Sequence, residues 1–343
     1  MSETLRPEPL RPLTLGEILD RTAQLYRGNF LAFAGVAAVP TAVILVVMIP
    51  AFALFLIPGV AVKQGGLLSG TATALIAVVA AVVGLVALAA AVISQAALIR
   101  VAISANVGQK LRIREALKSV RPRFWRYLGL LCLQGIFVGL IPGAIAGVAV
   151  GVTFWLARLA GGGIAANAVA GFVTFLIVAA TGVVIVMRAL GYSLAMPACI
   201  AEGKPAWESL RRAKKLSKGA RWRIFLMFLL VWVLASVVTM MGYIPMVALV
   251  AVAAAMGKGG PAATILLAAG GIIDVLVNFA LQTLIPPVYM TALVLFYYDQ
   301  RIRTEGYDIE WMMERAGLAG DPAEQGQPQI APTPAPDPGT LNG

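Results

Sequence analysis

Six apolar stretches, each long enough to cross a membrane, constrain the fold of this chain more than any other feature. A helix of about 20 residues crosses a hydrocarbon core of ~30 Å, so these stretches are long enough, and the longest must tilt, bend or project beyond the bilayer. Prolines inside four of them favour bends, because proline removes a backbone hydrogen bond. The sequence therefore predicts an all-α polytopic bundle of six transmembrane helices, at about Phe30–Val62, Ser69–Ile99, Tyr127–Leu156, Ile164–Met187, Ile224–Met256 and Ala262–Tyr298.

The composition supports this class and excludes much chemistry. Hydrophobic residues make up 60% of the chain and charged residues 13%, whereas soluble domains have roughly 45–50% and 25%. The chain has no histidine, which excludes imidazole metal ligands and histidine-dependent catalysis. Its two cysteines, Cys132 and Cys199, form no CxxC pair. We therefore expect no enzyme activity, no metal site and no cofactor.

Lysine and arginine are distributed very unevenly between the predicted spans. Of the 27 basic residues, only Lys63, Arg158 and Lys258 lie in the loops on one side, and the other 24 lie in the terminal segments and the two remaining loops. By the positive-inside rule, both termini and the two basic loops are cytoplasmic. We expect a multi-pass membrane protein with both termini in the cytoplasm.

A short segment with a shared layout precedes each pair of spans. Glu17, Glu115 and Glu208 hold the same position in these segments, at intervals of 98 and 93 residues. This spacing predicts one unit, an interfacial helix followed by a two-span hairpin, used three times. Thr14 and Glu17 form the pattern of a capping box at the first of these helices.

The repeat leads to a prediction of domain boundaries. Residues 1–12 form a cytoplasmic segment, and the membrane domain covers residues 13–317. The Pro-rich tail at residues 318–343 is predicted to be disordered and cytoplasmic. Within the membrane domain we expect repeats at about 13–107, 108–203 and 204–303, followed by a short C-terminal amphipathic helix.

The three connecting helices are predicted to lie in the headgroup plane with their basic faces toward anionic lipid. Two interpretations remain open: recognition of a particular anionic lipid or partner, or topology determination with generic lipid attraction. Nucleic acid is not an expected partner, because the basic residues are dispersed between spans. The densest basic cluster consists of Arg211, Arg212, Lys214, Lys215 and Lys218.

Glycines recur at every fourth position of the third span. Such a row lets another helix approach closely, as in small-xxx-small packing. The partner helix belongs either to the same chain or to a second copy in a homo-oligomer. The row consists of Gly135, Gly139, Gly143, Gly147 and Gly151.

The sixth span carries Asp274, Asn278 and Gln282 on one helical face. A carboxylate inside a membrane is costly and suggests a buried partner or a function. Either the three residues form a structural hydrogen-bond cluster, or they line a polar pathway with Asp274 as ion or proton acceptor. Candidate partners are Gln95, Gln134 and Arg188.

Three stretches of the chain form a combined motif. They are Leu13–Phe30, then Arg188, Pro197, Glu202 and Ser209–Arg223, and finally the Tyr-Tyr-Asp-x-Arg-x-Arg-x-Glu-Gly-x-Asp run at Tyr297–Asp308. Together they resemble the bacterial glycerophosphoryl diester phosphodiesterase membrane-domain family, a multi-span module that also occurs as a stand-alone protein. The resemblance implies an uncharacterised module of the bacterial cytoplasmic membrane, without the soluble catalytic barrel of the fused members, which uses histidines.

The last of these stretches alternates charge at the cytoplasmic mouth. We expect Asp299, Arg301, Arg303, Glu305 and Asp308 to form an ion-pair network that holds the C-terminal helix, with a binding site as the alternative.

Two functional hypotheses follow. The first is a non-enzymatic module that organises lipid or partner proteins, with anionic membrane lipids and either a homo-oligomer or another membrane protein as partners. The second is a transporter that uses the Asp274 face, although three hairpin units are not the commonest transporter symmetry.

Overall fold

The computed structural model describes residues 12–55, 70–256 and 260–306, and these residues contain helices and no strands. Residues 13–300 form one compact unit, and of a second unit the structure describes Pro12 and residues 301–306. The all-α prediction is confirmed for this part of the chain. The α-helices are α1 Leu15–Gly28, α2 Phe30–Phe55, α3 Gly70–Asn106, α4 Ile113–Val120, α5 Phe124–Gly135, α6 Ile141–Leu159, α7 Ile164–Tyr192, α8 Ala195–Glu202, α9 Ala206–Leu216, α10 Arg221–Ala255 and α11 Pro261–Glu305.

Five helical segments in the described residues are long and apolar enough to cross a membrane. A sixth is obtained when α1 and the first part of α2, which meet at an angle of 86°, are counted as one span. A helical membrane bundle is thus confirmed, with five or six spans. The end of the first predicted span and the loop after it, residues 56–69, lie outside the described residues.

The third predicted span is interrupted rather than straight. Helix α5 ends at Gly135, residues 136–140 form a π turn, and α6 begins at Ile141 with Pro142 in its first turn. Proline has no N–H to donate to the preceding turn, and a π turn is one of the ordinary ways in which a helix accommodates such a defect. The Arg188 guanidinium of α7 donates to the Phe137 carbonyl inside this turn, at 3.0 Å.

All three predicted connecting helices are present, as α1, α4 and α9. The capping box of α1 is confirmed: Glu17 N–H donates to Thr14 Oγ1 at 3.3 Å, and Thr14 N–H donates to Glu17 Oε2 at 2.8 Å. The apolar faces of these helices are covered by protein, since Ile18, Ala116 and Leu210 are buried in the core. Helical periodicity reveals an apolar face but not what covers it, so their expected apolar contact with the headgroup layer is replaced here by contact with the bundle.

The core of the first unit lies toward one end of the spans. Its buried residues come largely from the end of α3, from α8 up to Ile200, and from the part of α11 that includes Phe296 and Tyr297. We call this region the packed end. The three connecting helices contribute to it, so the packed end lies at the end of the spans where most of the basic residues are found. Helix α8 was not predicted, because it is too short to cross a membrane.

Away from the packed end, large apolar side chains are exposed. Val148 on α6 and Phe175 on α7 are 69% and 67% exposed, and similar side chains follow along both helices. Contiguous apolar surface of this extent is unfavourable in water and typical of contact with lipid or a partner.

Candidate functional site

Glu202, the last residue of α8, is the centre of a cluster of polar side chains at the packed end. Its Oε1 accepts hydrogen bonds from the Tyr297 hydroxyl at 2.6 Å and from Arg212 Nε at 2.9 Å. The Lys204 ammonium lies 2.8 Å from Oε2. We call Glu202, Lys204, Arg212 and Tyr297 the Glu202 cluster. The Glu202 side chain is only 10% exposed, so its charge is compensated by protein more than by solvent.

Local backbone geometry brings Lys204 and α9 back toward Glu202. Gly203 ends α8 in the left-handed region with φ of 66°, and α9 begins at Ala206 after Pro205, which is its N-cap. Glycine adopts this φ without the steric cost that a Cβ adds, which allows the reversal within three residues. Arg126 of α5 fixes the same turn by donating to the Gly203 carbonyl at 2.7 Å.

A second cluster surrounds Asp299, whose side chain is completely buried. Its Oδ1 accepts the Leu13 N–H at 2.8 Å, and its Oδ2 lies 3.2 Å from Arg223 Nη1. Arg223 Nη2 donates to the Leu13 carbonyl at 3.1 Å, and the guanidinium lies over the Phe296 ring at 5.6 Å from its centre. The Gln300 amide also donates to Oδ2, at 3.1 Å. We call Asp299, Arg223, Leu13 and Gln300 the Asp299 cluster.

The two clusters join parts of the chain that are far apart in sequence. Leu13, Glu202 with Arg223, and Tyr297 with Asp299 come from the three separate stretches that resemble a known family. In both clusters each carboxylate accepts from several donors. The geometry is that of buried, compensated ion pairs, which hold helices together in one arrangement.

Three of the five residues of the expected C-terminal charge network take part in ion pairs between described residues. Asp299 pairs with Arg223 in the Asp299 cluster, and Arg301 pairs with Glu305 at 3.4 Å. Arg303 is exposed, and Asp308 lies outside the described residues. The network as a whole therefore stays a prediction.

Four of the five basic residues predicted to contact lipid are exposed. Arg211, Lys214, Lys215 and Lys218 lie on α9 and the turn after it, and we call them the basic surface. The fifth, Arg212, is only 17% exposed and pairs with Glu202. Exposed tryptophans lie at the first residues of α5, α9 and α10, and tryptophan at such positions is typical of the membrane–water interface. These are Trp125, Trp207 and Trp222, with 78%, 58% and 67% exposure.

The glycine row of the third span faces open space. A Cβ built on any of the five glycines, Gly135 through Gly151, meets no other atom within 4 Å in the described structure. Among the described residues no helix approaches these glycines closely, so a close contact, within one chain or with a second copy, stays a prediction. Helices approach closely instead at Gly242 of α10, where a Cβ would lie 3.0 Å from Val277 Cγ1 of α11. The repeat shows where a close approach is sterically allowed but not where it occurs.

Asp274 and Asn278 form a hydrogen-bonded group, but Gln282 does not join it. Asn278 Nδ2 donates to Asp274 Oδ1 at 3.0 Å, and the Tyr243 hydroxyl of α10 donates to Asn278 Oδ1 at 3.0 Å. Gln282 is exposed. The three expected partners lie elsewhere, since Gln134 donates to the Tyr192 carbonyl, Arg188 bonds Phe137, and Gln95 lines a cavity.

That cavity has a volume of about 520 Å³ and lies among α3, α5, α7, α8, α10 and α11. Its walls are mostly apolar and include Phe228, which stacks on Tyr289 with ring centres 5.0 Å apart. The carboxamides of Gln95 and Gln134 lie in the same wall. Sequence analysis named both glutamines for another role, and no periodic signal could place them together.

In the part of the chain that the structure describes, no three acidic or cysteine side chains are grouped closely enough to hold a metal ion.

The long apolar helices and their exposed apolar surfaces define a multi-pass helical membrane protein. The chain belongs to the family described as "Protein of unknown function (DUF975)", whose model matches residues 36–304. The match includes Glu202, Arg223 and Asp299. Nothing links this family by name to the phosphodiesterase membrane-domain family that the motifs resemble. No curated protein and no solved structure matches the chain.

Proposed function

We propose that this protein is a non-enzymatic membrane module that binds anionic lipid at its basic surface and thereby organises lipid or partner proteins at the bacterial cytoplasmic membrane. The observation that carries this proposal is the separation of charges at the packed end. Glu202 and Asp299 are compensated inside their clusters, whereas Arg211, Lys214, Lys215 and Lys218 present their cationic groups to the surroundings.

The position of the basic surface suits lipid headgroups. Helix α9 packs its apolar face on the core through Leu210, Ala213 and Leu216, so its exposed cations are held on a fixed platform. Trp207 and Trp222 flank it in sequence, and tryptophans favour the headgroup level. Each lysine or arginine close to an anionic membrane surface contributes about 1 kcal/mol of attraction.

The topology assigned from the basic residues belongs to this proposal. Both termini face the cytoplasm, and the spans are arranged as three hairpin units, each introduced by one of the helices α1, α4 and α9. A phosphatase or fluorescent reporter fused after Lys258 distinguishes the two sides of the membrane. A signal from the cytoplasmic side at that position contradicts the topology.

Neutralising the basic surface should reduce the binding of anionic lipid. With Arg211, Lys214, Lys215 and Lys218 all replaced by glutamine, we expect anionic lipid retention to fall more than tenfold, since each cation contributes about 1 kcal/mol. Native mass spectrometry of protein extracted from phosphatidylethanolamine–phosphatidylglycerol membranes measures the retained lipid.

A matched variant distinguishes this site from generic attraction. Arg114, Lys118, Arg121 and Arg123 of the α4 region are also exposed, and their replacement by glutamine removes the same charge. We expect this control to retain most of the lipid that the wild type retains. Equal losses in both variants would contradict a specific site on α9.

The second candidate function is a transporter, and the bonded set of Asp274, Asn278 and Tyr243 favours it. These residues place an ionisable group between α10 and α11, where proton relays in transporters place theirs. If the protein carries protons, proteoliposomes under a pH gradient should show a flux that Asp274→Asn abolishes and Gln282→Leu preserves. Absence of flux in the wild type rejects this candidate.

A further inference from the structure

The cavity of about 520 Å³ is built to hold an amphipathic molecule. Ligand sites typically measure ~300–1,000 Å³ and combine apolar walls with a few convergent polar groups. Here the walls include Leu131, Phe225 and Met290, and the polar groups are Gln95, Gln134 and the Tyr289 hydroxyl. An entirely apolar molecule would leave those polar groups without partners, and a polar molecule would not match the walls.

The side chain of Gln95 is the feature of the cavity that indicates a ligand. Its side chain is half-buried on α3, in the wall of the cavity, and it makes no hydrogen bond to another described residue. Gln134 uses its amide nitrogen on the Tyr192 carbonyl at 3.3 Å. A carboxamide that makes no hydrogen bond inside a bilayer raises the free energy of the folded protein. A ligand group that hydrogen-bonds to Gln95 removes this desolvation cost.

The cavity is open rather than enclosed, and part of its lining is exposed apolar surface on the spans. Val186 of α7 and Leu229 and Trp232 of α10 line it and are 46%, 41% and 66% exposed. Exposed apolar side chains on spans are typical of contact with lipid, so a lipid chain beside α7 and α10 has apolar surface to follow into the cavity.

The depth of the polar groups matches the chemistry of a lipid near its ester bonds. Along α3, Gln95 precedes Arg100 by about 7 Å, and Gln134 follows Arg126 by about 12 Å along α5, at ~1.5 Å per residue. Those arginines mark the charged boundary of the packed end. With these arginines at the outer edge of a headgroup layer roughly 5–7 Å thick, Gln95 lies near the level where headgroup gives way to acyl chain, and Gln134 lies about 5 Å deeper.

We propose that this cavity binds one acyl chain of a membrane phospholipid, with an ester carbonyl of that lipid accepting a hydrogen bond from Gln95. This site deepens the proposed function, because the chain would anchor a lipid to the same module whose basic surface recognises headgroups. The cavity and the basic surface share no residue, so each can fail alone.

The test uses the full chain in nanodiscs that contain a zwitterionic phospholipid with a photoactivatable diazirine in its acyl chain. After irradiation, mass spectrometry of peptides locates the adducts. We expect cavity-lining peptides, those with Leu131 and Met290, to be labelled at least fivefold more than peptides with Val148 and Phe175, which are exposed on the outside of the spans. Equal labelling of both sets would overturn the proposal.

Two pairs of variants make the result specific. Ala189→Trp fills the cavity and should lower its labelling about tenfold, whereas Ala180→Trp, at an exposed site of the same helix, should not. Gln95→Leu removes the hydrogen bond and should lower labelling about fivefold, and Gln282→Leu is its exposed control.

Thermal unfolding in detergent establishes which variants fold. If Ala189→Trp does not fold, the comparison of Gln95→Leu with Gln282→Leu tests whether the cavity binds the lipid. Unchanged cavity labelling in a folded Ala189→Trp or Gln95→Leu protein would overturn the proposal. The quadruple glutamine variant of the basic surface should keep its cavity labelling, because the probe is zwitterionic. Failure of the lipid-retention experiment alone would therefore contradict the basic surface and not the cavity.

Discussion

Replacement of Arg223 by leucine should lower the free energy of unfolding by about 3 kcal/mol, because it removes a guanidinium cation from the buried carboxylate of Asp299. The Asp299 side chain is completely buried and lies 3.2 Å from Arg223. The substitution also removes the hydrogen bond from Arg223 to the Leu13 carbonyl, which fixes the residue before the N-cap of α1 against α10. Unfolding by detergent titration or heat, followed by tryptophan fluorescence, measures the change.

Two further variants separate the ion pair from the loss of a long side chain. Arg221→Leu changes the same residue type on the same helix, and Arg221 forms no salt bridge with another described residue. We expect it to change stability by less than about 1 kcal/mol. Adding Asp299→Asn to Arg223→Leu should restore part of the loss, since a neutral amide is cheaper to bury than a carboxylate. Equal effects of Arg221→Leu and Arg223→Leu would refute this account.

Glu202→Gln should cost about 3 kcal/mol, the second of the large effects. Glutamine keeps the shape of the side chain but removes the charge to which Arg212, Lys204 and the Tyr297 hydroxyl bond. Hydrogen bonds to charged groups contribute roughly 1.5–3 kcal/mol each. Lys204 is 38% exposed and contributes least, because solvent screens its pair. The same unfolding measurement applies.

The Glu202 prediction has a control in the next helix. Glu208 of α9 is exposed, so Glu208→Gln should change stability by no more than about 0.5 kcal/mol. Tyr297→Phe removes a single donor and should cost about 2 kcal/mol. If Glu202→Gln and Glu208→Gln have equal effects, the Glu202 cluster does not stabilise the packed end.

These two clusters explain why the three motif stretches occur together. Tyr297 and Asp299 are two residues apart on α11, yet they bond Glu202 of α8 and Arg223 of α10, respectively. Leu13 contributes only backbone atoms to the Asp299 cluster. A motif analysis identifies the charged members, but it cannot identify a position whose role is carried by its N–H and carbonyl.

Much of the local structure was predictable from the sequence. The helix starts at Phe30 and Ile164 match the predicted span starts, and Thr14 caps α1 as its spacing with Glu17 indicated. Such features depend on neighbours within a few residues, and the apolar length of a span is itself a local property. The interruption after Gly135 was predictable in part, because Pro142 marks it.

Other expectations depended on contacts between helices, and the periodicity of a single span does not determine those contacts. Five glycines at every fourth position predicted a close contact, yet the described structure leaves them open and brings α10 and α11 together at Gly242. Arg212 was grouped with its basic neighbours, but its place in the helix turns it toward Glu202. Gln95 and Gln134 become part of one cavity only because α3 and α5 pack side by side.

The sequence by itself determined that this protein is a bundle of long apolar helices with its cations on one side, because hydrophobic length and charge distribution act residue by residue in the bilayer. The tertiary structure alone decided which carboxylates are buried and paired, which cations remain exposed, and which residues line one cavity. Those properties depend on which helices pack against each other: residue 13 meets residues 223 and 299, and residue 202 meets residues 212 and 297, only in the folded bundle.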